Sequence, residues 1–174
     1  MKLLMVSDIH GDFKSLEKVL KNESFDRLII LGDLFSYGKI ILDLNNNEII
    51  KLLKKYKDKL ILIRGNCDYF IDYEKIGLYA NDIITIRANN HDITLTHGNR
   101  YYRGFMPDFH GDIFASGHTH IPSIIKERDM IYINPGSIGL PRSGSQKSYL
   151  VFDDNYIEIK TGNPFRYTKK EEKI

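Results

Sequence analysis

Short apolar runs alternate with helical repeats through the first third of the chain. Residues 2–7 (KLLMVS) are apolar, bounded by polar positions and too short for a helix, which predicts a buried strand. Asp12 then offers a helix N-cap, and Phe13, Leu16, Val19 and Leu20 recur at helical spacing as far as Asn22. Residues 26–31 (DRLIIL) predict a second strand, closed by Gly32. Residues 48–57 set Ile49, Leu52, Leu53 and Tyr56 on one helical face, and residues 59–64 (KLILIR) predict a third strand ended by Gly65. The order β-α-β-α-β implies a mostly parallel sheet with right-handed crossovers.

The second half changes character. Residues 83–87, 92–96, 113–116, 121–127, 130–134, 148–153 and 156–160 all carry strand patterns, several separated by Gly, Asn or Asp turns. Asp153-Asp154-Asn155 reads as a hairpin turn. The connection from Gly98 to Gly111 is long, aromatic and Pro-containing, which marks it as a loop near a site. Nothing in the sequence resembles a repeat or a linker, so residues 1–174 are expected to form one domain. The mixed-charge run Lys169-Lys170-Glu171-Glu172-Lys173 predicts a solvated end, frayed from about residue 165.

Composition adds exclusions more than identity. The chain has 174 residues, of which 42% are hydrophobic and 28% charged, the proportions of an ordinary globular domain. A formal net charge of +2 is too small to argue for nucleic acid or a membrane surface as partner. With Cys67 as the only cysteine, no internal disulfide can form. The apolar run after Met1-Lys2 is too short for a signal peptide, and no run reaches the roughly 18 apolar residues of a membrane span. The expected location is the cytoplasm.

The polar residues with most chemistry stand where the predicted strands end. Asp8 and His10 follow the first strand, Asp33 the second and Asn66 the third. His97 follows residues 92–96, and His118 and His120 follow residues 113–116. In open α/β sheets, ligands bind outside the carboxyl ends of the strands. Carboxylate oxygens and neutral imidazole nitrogens bind divalent transition ions, and one carboxylate can serve two ions at once. Two carboxylates, one amide and four imidazoles are more than one ion needs. Each fragment alone has a plainer use: an N-cap for Asp8 or Asp12, a turn for Asp33 or Asn66, a hydrogen-bonded strand end for His97. His118-x-His120 between Gly117 and Ile121 is harder to explain structurally.

In this order the motifs resemble the calcineurin-like metallophosphoesterases, whose pattern runs D-x-H, G-D, G-N-[H/C]-[D/E], a lone H and G-H-x-H. Asp8-x-His10, Gly32-Asp33, Gly65-Asn66-Cys67-Asp68, His97 and Gly117-His118-Thr119-His120 meet it. The short chain, Cys67 in its place and Asn134-Pro135-Gly136-Ser137 downstream are similar to the compact YfcE-type phosphodiesterases. The resemblance implies a four-layer α/β/β/α sandwich, with helices outside two facing sheets. It also implies a metal-dependent phosphodiesterase with two divalent ions, manganese first and nickel, cobalt, iron or zinc as alternatives. Asp8, His10 and His120 would hold one ion, Asn66, His97 and His118 the other, with Asp33 between them. A metal-bound hydroxide would be the nucleophile. A small phosphodiester substrate and a homo-oligomer are implied by the same analogy.

One position departs from the larger relatives. Where they carry histidine after the asparagine, this chain has Cys67, either a weak proton donor or a small buried spacer. Asp68 is a candidate orienting carboxylate. Asn134-Pro135-Gly136-Ser137 reads as a turn beneath the site. Asn66 and Arg142 are candidate substrate contacts, with a surface salt bridge the competing use of Arg142. His91 reads as a turn residue and His110 as a rim group. The alternatives to a phosphodiesterase are a protein-interaction scaffold on the same fold, or a phosphomonoesterase or nuclease on the same site. A scaffold should show a damaged ligand set, and all seven positions are intact. Arg100, Tyr101, Tyr102 and Arg103 hint at a nucleic-acid face, and the wall of a substrate pocket explains them equally well.

Overall fold

A computed structural model of the chain describes residues 1–36, 44–69, 73–74, 77–154, 156–161 and 170–173. The expected alternation opens it. β1 (Leu3–Val6), α1 (Phe13–Asn22), β2 (Arg27–Ile30), α2 (Leu44–Lys54) and β3 (Leu60–Ile63) follow one another, and β1, β2 and β3 pair in parallel. Asp12 caps α1 as predicted, its Oδ1 accepting from the Ser15 amide at 3.0 Å. α2 stops short of the predicted Lys57. The Lys55 and Tyr56 amides donate three residues back, to Leu52 and Leu53, and a 3₁₀ turn follows at Lys57–Lys59.

The remaining strands are β4 (Ala80–Asn81), β5 (Ile83–Ala88), β6 (His91–Thr96), β7 (Ile113–Ala115), β8 (Ser123–Glu127), β9 (Met130–Asn134), β10 (Ser148–Asp153), β11 (Tyr156–Thr161) and β12 (Lys170–Lys173). They make two sheets, β12-β11-β10-β1-β2-β3-β4 and β5-β6-β7-β9-β8. β8 begins at Ser123 and not at Ile121, because Pro122 has no amide hydrogen for the ladder. His91 is not the turn residue expected. Asn89 and Asn90 make the turn with φ of 52° and 66°, and His91 opens β6, its Nδ1 2.5 Å from Asp112 Oδ2. The chain end expected to fray supplies β12, which satisfies the open edge of β11 in antiparallel register. Residues 162–169 and Asn155, the last position of the predicted hairpin turn, lie outside the described residues.

Alternation along the strands sorts the apolar side chains into two cores. Leu4, Val6, Leu28, Ile30, Leu62 and Val151 turn one way, onto Leu16, Val19, Leu20, Ile49 and Leu53 of the two helices. Leu3, Met5, Ile29, Leu150 and Phe152 turn the other way and meet Ile93, Leu95, Ile113 and Ile133 of the second sheet. The result is an α/β sandwich of two facing sheets. α1 and α2 lie on the seven-stranded sheet. On the outer face of the five-stranded sheet, residues 98–111 take the place of a helix: the Gly111 amide donates to Thr94 Oγ1 at 2.9 Å, and Arg103 lies over the Tyr132 ring. No helix among the described residues is long and apolar enough to cross a membrane.

Glu23, just past α1, ties that helix to the sheet beneath it. Its Oε1 accepts from Tyr149 Oη at 2.8 Å and Lys160 Nζ at 2.7 Å, and Lys2 Nζ approaches Oε2 at 3.4 Å. Burial acts to raise this carboxyl's pKa, but the Lys160 and Tyr149 hydrogen bonds outweigh it and the net shift is downward. A depressed pKa stabilises the fold above the ordinary carboxylate range, and that contribution disappears as pH falls through the depressed value. Glu23→Gln is therefore expected to cost about 1–3 kcal/mol at pH 7. The difference from the parent should shrink as pH falls through the depressed carboxyl pKa, in urea unfolding curves taken at pH 7 and at a series of acid pH values.

Candidate metal centre

Five loops converge at the carboxyl ends of parallel strands. Those after β1, β2 and β3 bring Asp8 with His10, Asp33 and Asn66 from one sheet, and those after β6 and β7 bring His97 and His118 with His120 from the other. The chain bends hard at these points. Asp8, His10, Asp33, His118 and His120 all have positive φ, between 47° and 65°, in the left-handed region that non-glycine residues seldom occupy. The bends are locked by the backbone, since the Ile9 and His10 amides both donate to the Asp33 carbonyl, at 2.9 and 3.0 Å. Glycine is required where the loops touch. A β-carbon on Gly65 would overlap Asp33 Oδ1, and one on Gly117 would overlap Ser7 Oγ.

The imidazoles fall into two pairs. His10 and His120 stack with ring centroids 5.1 Å apart, and His97 and His118 meet edge to face, also at 5.1 Å. Asp33 lies between the pairs: Oδ2 is 3.6 Å from His10 Nε2, and Oδ1 is 3.5 Å from His97 Nε2. Asp8 belongs to the first pair, with Oδ1 3.3 Å from His120 Nε2. Asn66 belongs to the second, with Oδ1 3.1 Å from His97 Nε2. Two histidines present Nε2 to the centre because Nδ1 is engaged elsewhere, that of His97 on the Leu31 carbonyl at 2.7 Å and that of His120 on the Leu140 carbonyl at 2.5 Å.

The electrostatics divide the two carboxylates. Burial pushes the Asp8 carboxyl up to about 7, only partly offset by the nearby His97 charge and hydrogen bonds from Ser7 and the His118 amide. Burial acts the same way on Asp33, but hydrogen bonding and charge from His97, with the Cys67 amide and thiol, overcome it and hold the carboxyl at about 2. Burial lowers His10, His118 and His120, and the charge of Arg142 lowers each further, so their imidazoles are neutral near pH 7. His97 is raised: burial would lower it, and the hydrogen bond and charge of Asp33 prevail.

These residues fit a divalent cation. Ligand atoms of Asp8, His10, Asp33 and His120 lie within 4.8 Å of one another. Among them, Asp8 Oδ1 and His10 Nε2 are buried with no hydrogen-bond partner. Buried polar atoms are nearly always satisfied, and a cation coordinated by this oxygen and this nitrogen would satisfy both.

Comparison with known proteins agrees with that geometry. Residues 1–155 match the calcineurin-like phosphoesterase superfamily domain. The chain belongs to that superfamily. It is 28% identical to phosphodiesterase YfcE of Escherichia coli K12, over 91% of either chain. The solved structure of the E. coli YfcE phosphoesterase superposes with a TM-score of 0.87 at 25% identity, covering all of both chains. Vacuolar Protein Sorting 29 from Cryptosporidium parvum shares the fold, with a TM-score of 0.71 at 15% identity over 99% of this chain and 97% of that one. A calcineurin-like phosphoesterase with this relative is a metal-dependent phosphoric ester hydrolase.

The supporting residues divide less evenly. Asp68 does more than orient one neighbour: Oδ2 accepts from the Gly65 amide at 2.9 Å, the Leu34 amide at 3.4 Å and Tyr73 Oη at 2.8 Å, and Oδ1 from the Phe35 amide at 3.2 Å. It thereby joins the loop bearing Asp33 to the loop bearing Asn66. Cys67 donates its amide to Asp33 Oδ1 at 2.8 Å. Asn134 donates to the Gly117 carbonyl at 2.7 Å and to Thr119 Oγ1 at 3.1 Å, bracing the His118–His120 turn. Ser137, expected only as part of the turn beneath the site, donates to the Asp8 carbonyl at 2.7 Å and accepts from Leu140, whose carbonyl holds His120. Arg142 is exposed and makes no ion pair among the described residues. Among the described residues, the His110 ring is bonded only to the neighbouring Gly111 carbonyl.

Removing Asp68 leaves three buried amides without an acceptor, each costing about 1–3 kcal/mol. Asp68→Ala is therefore expected to lose at least about 3 kcal/mol in urea unfolding. Tyr73→Phe, which removes a single donor, should lose about 1 kcal/mol.

Proposed function

We propose that this phosphoesterase cleaves a small phosphodiester at a centre for two divalent cations. Asp8, His10 and His120 would hold one cation, Asn66, His97 and His118 the second, and Asp33 would serve both. The observation carrying this reading is the placement of Asp33, which turns one oxygen to each histidine pair. When bound, such cations lower the pKa of water and take up charge developing on phosphoryl oxygens. Manganese is the first candidate, since mixed imidazole and carboxylate sites accept several transition ions and availability decides among them.

The chain's own residues supply the rest. Asp33, held at about 2, stays ionised under all ordinary conditions, which suits a carboxylate serving two cations. Three neutral imidazoles keep a lone pair available, and His97 joins them in its neutral form, its Nε2 turned to the centre. Arg142, exposed at the rim and close enough for its charge to act on His10, His118 and His120, would bind a phosphoryl oxygen. Asn66 would join it, its amide lying at the edge of the centre. The diester reading is supported by the E. coli relative named as a phosphodiesterase. The scaffold alternative requires a damaged ligand set, and here all seven positions are filled.

Hydrolysis of bis-(p-nitrophenyl) phosphate should vanish on stripping metal and return with manganese. No turnover with any divalent ion, despite bound metal, would sink the reading. Asp33→Asn is expected to reduce kcat/KM by at least about 100-fold, more than any other single ligand change, as its loss weakens both half-sites. Manganese at about 100 times its Kd should stabilise the parent by about 2.7 kcal/mol in thermal unfolding, and by clearly less in Asp33→Asn.

A further inference from the structure

A cavity of about 440 Å³ opens beside the metal centre, lined by Arg64, Asn66, Asp82, Asn99, Arg100 and Tyr101 among others. Its volume lies in the range of roughly 300–1,000 Å³ typical of small-molecule sites. Asn66 belongs to both the cavity and the centre, so the two spaces adjoin.

The cavity wall carries charge, hydrogen-bonding capacity and a fixed ring. Arg64 Nε donates to Asp82 Oδ1 at 2.8 Å, and Arg100 Nη1 lies 3.7 Å from Asp82 Oδ2. Two guanidiniums thus share one carboxylate, and among the described lining residues the cations outnumber the anions by one. At 3.7 Å the second contact is too long for a hydrogen bond. Arg100 makes no hydrogen bond among the described residues and its side chain is 67% exposed, so its fork of donors is available. The half-buried ring of Tyr101 stacks on Phe105 at 6.1 Å and 14°, which holds it in place as a platform.

The neighbouring pair in the same run behaves differently. Tyr102 and Arg103 line a separate groove of about 300 Å³ on the outer face of the five-stranded sheet, and Arg103 is paired with Glu127. Arg100-Tyr101-Tyr102-Arg103 is therefore not a continuous basic strip for a polymer backbone. Only its first two residues face the cavity that joins the centre.

We propose that this cavity receives one ester arm of the substrate, and that the arm carries a planar, acceptor-rich group as in a nucleoside 5′-phosphodiester. Tyr101 stacks on the planar group, while Arg100 and Asn99 donate to its acceptors. The inference rests on the phosphodiesterase reading and adds the class of substrate to it.

Two diesters with the same leaving group test it: methyl p-nitrophenyl phosphate and the p-nitrophenyl ester of thymidine 5′-monophosphate, with the manganese-loaded protein. The nucleoside ester is expected to show kcat/KM at least tenfold higher. Arg100→Ala and Tyr101→Ala should each cut that ratio at least fivefold, mainly through KM. Calorimetry should show thymidine 5′-monophosphate binding more tightly than inorganic phosphate, with the margin reduced in Arg100→Ala. Equal turnover of both diesters, or a ratio that neither variant changes, overturns the inference and leaves the phosphodiesterase reading standing. Turnover of neither diester overturns that reading instead, and the calorimetric margin then decides the cavity by itself: present and lost in Arg100→Ala, it upholds the subsite; absent, it overturns it.

Discussion

Two carboxylates buried side by side are the constraint from which the rest of this molecule follows. Asp8 and Asp33 close adjacent parallel strands and are 0% and 2% exposed. Each would be pushed towards its neutral form by burial, and the charge of Asp33 raises Asp8 further. They respond in opposite directions because their partners differ. Asp33 is held by His97 and by both the amide and thiol of Cys67. Asp8 keeps one oxygen with no hydrogen-bond partner. A buried polar atom in that condition is costly unless something charged meets it. The surrounding imidazoles present lone pairs to the same point, so the deficit is of the kind a cation removes.

The topology explains why seven distant residues can share that point. Parallel strands all deliver their carboxyl ends to one edge, and both sheets contain such a stretch: β1-β2-β3 in the first, β6 and β7 in the second. Stacked face to face through Leu3, Met5, Ile29 and their partners Ile93, Leu95 and Ile113, the sheets bring those edges together. Core packing and site geometry are therefore one problem. A shift of one sheet over the other would separate His97 and His118 from Asp33.

Most of this was legible in the sequence, and the reason is chemical. Asp8, His10, Asp33, Asn66, His97, His118 and His120 stood out because residues with metal-binding donors stood beside glycines at strand ends. The helical crossovers were legible because Leu16, Val19 and Leu20 repeat at the period of a helix. What escaped notice depends on contacts that no spacing encodes. Ser137 meets the Asp8 carbonyl across 129 residues of chain. The four-way grip of Asp68 needs the connections after β2 and β3 already in place. β12 was read as a frayed end because a mixed-charge run looks solvated, and nothing local announces that β11 has an open edge. His91 reads as a turn residue in the sequence, whereas Asn89 and Asn90 complete the turn by themselves.

The fold alone does not decide between an enzyme and a scaffold, since one fold hosts unrelated functions. The energetics of the loops do bear on the choice. Five of the seven positions proposed to hold the cations have positive φ on a non-glycine residue, a conformation costing on the order of 1–3 kcal/mol each. Asp8 adds a buried oxygen without a hydrogen bond. A chain using this surface only for contacts would become more stable by placing glycine at the bends and an apolar residue at Asp8. This chain retains strained donors aimed at one another, an arrangement that destabilises the empty site and is offset when cations bind. The strain thus favours a working centre, independently of any likeness to other proteins.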